Sequence, residues 1–394
     1  MGGNLLFVNI GVDAVTLLST DGSRIYFFST DIGYDIRERI DNSKIIIVND
    51  NYIELPYILD ATPSVFGRTF SDFESYLQFL AKNIGSKIKS RKVVVWFSGG
   101  KDSTASLIVL LGLQRYVDFH LEAYYMHVPL LDGERNLRFV DIISRRLNIE
   151  ISIESIGRHK MEDLLEYFGI PYRGFRWCTY HSKIKPMRKI KRIQSFDYEV
   201  SSERIFESYK RFSSLLEYAR RKMFISGKQL KPTYLFTIMD VVDIVKKRNV
   251  VHPDYLAGCS RVSCSICPYR TIFELKKTMD DLEDPGLIDN ALRKTYLARY
   301  RDMVDFEEYM VYALWRFSPR IADKILALKK LVRESEQRLR SGDVHRMISS
   351  IWLSKFESPI IEVDKAISLM QDAYKKRRFG ILNLGLEPNF TVKT

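Results

Sequence analysis

Cysteine is scarce in this chain: four among 394 residues, Cys178, Cys259, Cys264 and Cys267. So few thiols, three of them within nine positions, exclude a disulfide-stapled secreted scaffold and point to metal binding or catalysis. Long apolar runs are missing as well. None approaches the roughly 20 residues that span a bilayer, so no membrane segment is expected. The opening Met1-Gly2-Gly3-Asn4 lacks the basic stretch of a secretory signal, which makes cytoplasmic localisation the expectation. Internal repeats and low-complexity segments are absent. Acidic residues are in deficit, 49 Asp and Glu against 61 Lys and Arg, for a net charge of +12. That balance suits either a polyanionic partner such as tRNA or DNA, or a solvated basic surface. The cations do cluster: Arg173, Arg176, Lys183, Lys185, Arg188, Lys189, Lys191 and Arg192 fall within twenty positions.

With 46% hydrophobic and 28% charged residues, the chain reads as globular, with length for two or three domains. Residues 1–85 form a β-rich N-terminal module, in which Leu5–Ile10, Arg24–Phe28 and Lys44–Val48 read as strands between Gly and Asp-Gly punctuation. Residues 86–280 alternate strand and helix. Asp72–Ile88 leads in as a helix, Lys92–Phe97 is a continuous apolar strand, and helix 103–114 follows. His120–Met126 is the next strand, Asn136–Leu147 a helix and Ile149–Ile153 a third strand. Such alternation predicts an α/β fold with a mostly parallel sheet. Residues 281–394 read as a helical C-terminal domain, with helices over 282–301, 305–315, 321–340 and 363–376.

Ser98-Gly99-Gly100-Lys101-Asp102-Ser103 stands where the first strand ends and its helix begins. Amides at a helix N-terminus favour an anion, and two glycines let backbone approach phosphate oxygens closely. Ser98 and Ser103 offer hydroxyls, Lys101 supplies charge, and Asp102 beside phosphates suggests Mg²⁺. The hexapeptide differs from the GxxxxGK[ST] loop of kinases. It resembles the SGGxDS loop of the PP-loop ATP pyrophosphatases, which act at the alpha-phosphate of ATP. That resemblance implies an adenine-nucleotide alpha-hydrolase-like core, with the strand ending at Met126 flanking the adenine.

Cys259-x4-Cys264-x2-Cys267 has the spacing of a loop whose thiolates converge on one centre, and Cys178 completes a four-thiolate set. Both iron–sulfur ligation and structural zinc accept such a set. Trp177-Cys178-Thr179 followed by Lys183 and Pro186 resembles the WCT-x-x-x-K-x-x-P stretch of the PAPS reductase family. Arg204-Ile205-Phe206-Glu207-Ser208 with Arg211 is similar to its GxRxxES-x-x-R motif, with Ser202 where that family has glycine. Asp254-Tyr255, Gly258, Arg261 and Cys264-Ser265-Ile266-Cys267-Pro268 are similar to its downstream segment. The resemblance spans about residues 90–275 and extends to iron–sulfur members of the DndC type. It implies a [4Fe-4S] cluster on Cys178, Cys259, Cys264 and Cys267, with zinc second. It also implies phosphate-neutralising roles for Lys101, Lys183, Arg204 and Arg211, and ribose or loop positioning by Glu207 and Ser208.

PAPS and APS reductases attack their sulfonucleotide with a cysteine in a C-terminal tail, and no cysteine follows Cys267 here. The expectation is therefore an ATP-dependent, iron–sulfur sulfurtransferase that adenylates nucleic acid, tRNA ahead of DNA, with a separate sulfur-donor or electron-donor protein. Two alternatives stand beside it: a sulfonucleotide reductase with an unfamiliar nucleophile, and a non-enzymatic nucleotide-binding protein with structural zinc. A homodimer is compatible with the sequence. His127, His159, His181 and His252, scattered singly, are assigned no role.

Overall fold

The computed structural model describes residues 70–327 apart from 71, 206–208, 222, 237, 260 and 324. It also describes residues 349, 352 and 353 and five strand segments between 5 and 54. Those five are β1 (Leu5–Ile10), β2 (Ala14–Ser19), β3 (Ile25–Ser29), β4 (Ile45–Val48) and β5 (Asn51–Glu54). They pair antiparallel as a β1-β2-β3 sheet and a β4-β5 hairpin. Three of these strands match those expected from sequence, and β2 and β5 are additional.

Helix α1 (Phe73–Ile88) starts where the Asp72 carboxylate accepts the Ser75 N–H at 2.7 Å, satisfying one of the orphan amides at a helix start. It buries Tyr76, Leu77, Leu80, Ile84 and Ile88. Strand β6 (Lys92–Phe97) then sits inside a six-stranded sheet. Its apolar run is continuous because both faces are covered: Val93, Val95 and Phe97 join the main core, while Val94 packs with Tyr124, Met126, Ile190 and Phe196 on the other side. Helix α2 (Lys101–Leu113) follows, then β7 (His120–Met126), α3 (Glu134–Leu147), β8 (Ile151–Glu154) and α4 (Arg158–Phe168).

Next comes a helical stretch of mixed pitch. One α-turn, Trp177–Thr179, runs into a π-helical turn, Tyr180–Ile184, and then into α5 (Lys185–Gln194). Strand β9 (Tyr198–Val200) returns to the sheet, α6 (Tyr209–Arg220) packs outside it, and β10 (Ile225–Ser226) and β11 (Gln229–Leu230) add a short hairpin at the edge. The order is β10-β11-β9-β6-β7-β8, parallel throughout except for β10 against β11. The fold is thus α/β on a mostly parallel sheet, as the alternation predicts.

Helices α7 (Ile238–Lys247), α8 (Pro253–Leu256), α9 (Ile272–Thr278), α10 (Pro285–Arg299) and α11 (Phe306–Val311) complete the described chain. The expected helix over 363–376 and most of that over 321–340 lie outside the described residues. The expected boundary near 280 falls inside a shared core: Leu292, Tyr300, Tyr309, Trp315 and Phe317 pack with Met161, Leu164, Leu165 and Trp177. Among the described residues, no helix is long and apolar enough to cross a membrane.

Candidate functional site

The phosphate loop closes the C-terminal end of β6. Gly99 turns the chain at φ +74°, a left-handed conformation open to glycine. The Ser98 and Ser103 hydroxyls lie 3.0 Å apart, and Ser103 Oγ donates back to the Gly100 carbonyl at 2.9 Å. The first amide of α2, Lys101 N–H, donates at 2.9 Å to the Tyr255 hydroxyl. Met126 ends β7, the neighbouring strand, directly after Tyr125, which pairs with Phe97.

Asp102 joins two cations at this turn. One carboxylate oxygen accepts Lys101 Nζ at 2.9 Å, and the other accepts Nε of Arg204, a fully buried side chain, at 2.7 Å. Burial opposes its ionisation, but the Lys101 and Arg204 charges override that and hold the carboxyl well below the usual range. With both oxygens engaged, Asp102 is a counter-ion to these cations rather than a free metal ligand. Arg211 lies within electrostatic reach of Asp102, Arg204, Glu203 and Arg261, and Lys231 pairs with Glu203 at 3.1 Å. Glu207 and Ser208 lie outside the described residues.

These features converge on one recognisable unit. Residues 92–270 match the family model of the phosphoadenosine phosphosulfate reductase domain. The chain is 28% identical over 199 residues to uncharacterized protein MJ0066 of Methanocaldococcus jannaschii, covering 50% of this chain and 40% of that one. It is 24% identical over 254 residues to uncharacterized protein MJ0973 of the same organism, covering 64% of this chain and 58% of that one. The matches thus span about half the length of these relatives. Among solved structures, the U34-tRNA thiolase NcsA from Methanococcus maripaludis, with its [4Fe-4S] cluster, aligns at 13% identity and a TM-score of 0.37. That alignment covers 78% of this chain and 93% of that one. The NH3-dependent NAD synthetase from Campylobacter jejuni aligns at 13% identity and a TM-score of 0.34, covering 74% of this chain and all of that one.

Within the matched region α8 and the segment after it pack against the loop. Val262 Cγ1 would lie 3.6 Å from a Cβ added at Gly99, and the Tyr255 hydroxyl 3.7 Å from one at Gly100. The same segment carries three of the cysteines, and none of the four is disulfide-bonded. Cys178, Cys264 and Cys267 lie close enough to feel one another's charge. Burial, then Cys267, pushes the Cys178 thiol up to about 11, and burial pushes Cys264 higher still. Cys259 is fully buried: burial and then Glu274 push its thiol up to about 12, and Arg270, Asp254 and Arg135 are among its charged neighbours.

Lys183, expected among the phosphate cations, has other company. Burial works against its charge, but Cys264, Asp132, Cys178 and Cys267 raise its pKa. Cys178 lies on the α-turn and Lys183 in the wider π-turn that follows it, so the change of pitch falls between them. Asp132 below accepts hydrogen bonds from Tyr125 and Asn136 and has His127 Nδ1 at 3.4 Å. Three soft donors around a lysine suit a thiophilic metal or an iron–sulfur group. Among the described residues, no three His, Cys, Asp or Glu side chains are already gathered as metal ligands.

Tyr255, Arg261 and the Asp132–His127 pair are site residues to which the sequence assigned no role. Tyr255 and Arg261 fell inside the family-like segment, which was the available signal. His252 is structural: its Nδ1 accepts the Asp254 N–H at 3.0 Å, and burial lowers its pKa to about 4.

Proposed function

We propose that the chain is an ATP-dependent sulfurtransferase that adenylates a polynucleotide, tRNA before DNA, and replaces the activated oxygen by sulfur. The observation that carries this reading is the Lys101–Asp102–Arg204 bridge at a strand-to-helix turn. It holds two cations beside a loop whose amides and hydroxyls suit phosphate. ATP enters with Mg²⁺, its phosphates against Ser98, Gly99, Gly100 and Ser103 and its adenine beside Met126. Glu207 and Ser208 position the ribose or the loop. The acceptor oxygen attacks the alpha-phosphorus and the bond to pyrophosphate breaks. Lys101, Arg204 and Arg211 stabilise the charge that leaves. A sulfide equivalent from a separate donor then attacks the activated carbon and AMP departs.

Cys178, Cys264 and Cys267 would hold a [4Fe-4S] group, with zinc second, and Lys183 would balance their charge. Bound there, the cluster would supply an iron centre able to take sulfur or electrons. Cys259, in its own polar surroundings, is the weakest of the four as a ligand.

Two measurements test the reading. Anaerobically purified protein should contain about four iron per chain, as a [4Fe-4S] site requires. Serine at Cys178, Cys264 or Cys267 should remove that iron, whereas Cys259→Ser should keep it; zinc alone would overturn the cluster. Pyrophosphate release should fall at least about 100-fold in Lys101→Ala, the scale for losing one electrostatic contact to the transition state, and should also fall in Asp102→Ala, which removes the anchor of Lys101 and Arg204. Unchanged turnover would remove the loop from the mechanism. Sulfite from PAPS or APS would replace the reading by a reductase.

A further inference from the structure

The basic run between 173 and 192 divides once folded. Arg173 is buried, donating to the Pro268 carbonyl at 2.9 Å and stacking on Phe317 at 4.5 Å. Arg176 lies over the Tyr269 ring at 5.0 Å, Lys183 faces the thiols, and Lys191 pairs with Glu199. Left over are Lys185, Arg188, Lys189 and Arg192, all exposed on α5. Other helices of this chain pair their surface cations at i,i+4, as in Arg138–Glu134, Arg221–Glu217, Lys247–Asp243 and Arg293–Asp289. Helix α5 reads KPMRKIKRIQ, with no acidic residue. It sets Lys185 above Lys189 and Arg188 above Arg192, like charges at i,i+4, which weaken a helix. Such self-repulsion is relieved by a bound polyanion.

These four cations line a cavity of about 790 Å³ between α4, α5 and the ends of β7 and β8. That volume lies within the range of ligand sites. Lys160 adds a fifth cation, and Glu154 is the carboxylate in the lining. Tyr180, 47% exposed, stands at the wall with its ring edge-on to His181 at 5.2 Å. Cations alternating with an exposed aromatic form the pattern that tracks a sugar–phosphate backbone and stacks a base. Glu154 is two strands from β6, about 10 Å at ordinary strand spacing. A bound strand therefore runs close to the phosphate loop and to the π-turn that carries Lys183.

We propose that this groove binds a single-stranded polynucleotide, its phosphodiesters on Lys185, Arg188, Lys189 and Arg192 and one base against Tyr180. The site rests on the polynucleotide acceptor proposed above and gives that acceptor its docking face. Fluorescence anisotropy of a labelled single-stranded oligoribonucleotide tests it on the full chain, with DNA of the same sequence and a duplex as further arms. Affinity should fall steeply with salt, and Arg188→Gln/Arg192→Gln should lower the salt slope by about 1.4, the single-strand value for two phosphate contacts. Tyr180→Ala should weaken binding about tenfold, while Tyr180→Phe retains it, because stacking needs only the ring. Tighter RNA than DNA binding names RNA as the natural strand, and the reverse names DNA; either outcome supports the groove. A Mg·ATP-induced thermal shift equal to that of the unsubstituted protein shows that the variants stay folded. Oligonucleotide binding that is indifferent to these substitutions, or a preference for duplex, overturns the groove while leaving ATP chemistry standing. Sensitivity to them without pyrophosphate release overturns the sulfurtransferase reading and keeps the groove.

Discussion

At the scale of single residues, Asp102 bridges two cations at the start of α2. Arg204 is fully buried, and a guanidinium there depends on the carboxylate 2.7 Å away. Asp102→Asn removes a hydrogen bond between two charged groups, a loss of about 1.5–3 kcal/mol. The pH dependence has a defined sign. Asp102 titrates lower in the folded chain than in the unfolded one, so its contribution is complete above about pH 4. It is lost as the pH falls from there through the depressed folded value. Urea denaturation across that window should show the unsubstituted protein losing its advantage over Asp102→Asn as the pH drops. A gap that stays constant with pH would mean the carboxylate is not ionised in the folded state. The phosphate loop was legible in the sequence because the hexapeptide is contiguous, although the pairing of Asp102 with Arg204, 102 positions away, was hidden. Tyr255 was hidden as well, since its hydrogen bond to Lys101 joins positions 154 apart.

At the scale of elements, legibility followed length and burial. Strands β6 and β7 announce themselves by apolar runs, whereas β9, β10 and β11 hold two or three residues each and leave no periodicity to read. The π-turn is equally silent, because five residues cannot distinguish one helical pitch from another. Close packing of α1 on α2 is another feature visible only in the fold. Gly112 in α2 faces Leu77 of α1, where an added Cβ would lie 2.7 Å from Leu77 Cδ1. Glycine normally weakens a helix interior by roughly 0.5–1 kcal/mol relative to alanine, so contact with α1 explains its presence. Gly112→Ala should be neutral within about 1 kcal/mol, the helix gain offsetting a shift of one leucine methyl. Gly112→Leu should destabilise by about 1–3 kcal/mol through overpacking. Thermal unfolding of the two variants checks the contrast; equal melting points would show that α1 yields freely.

At the scale of the molecule, the question is whether residues beyond 280 are an appendage or part of the domain they follow. The sequence divides there, since strands give way to charged helices, but composition does not reveal which surfaces those helices cover. In the fold, Leu292, Tyr300, Tyr309, Leu314, Trp315 and Phe317 are buried in one cluster with α4 and Trp177. The buried Arg316 donates to the Arg270 carbonyl, and its own carbonyl accepts the Arg173 N–H at 2.9 Å. Six large apolar side chains amount to about 10 kcal/mol of burial, against a total stability of about 5–15 kcal/mol for a typical domain. A chain ending at residue 280 is therefore expected to lose cooperative unfolding and to bind a hydrophobic dye. It also exposes the wall behind Cys178, because Trp177 packs in the same cluster, so iron loading should fail together with folding. A truncated chain that melts sharply and still loads metal would establish the C-terminal helices as an independent domain.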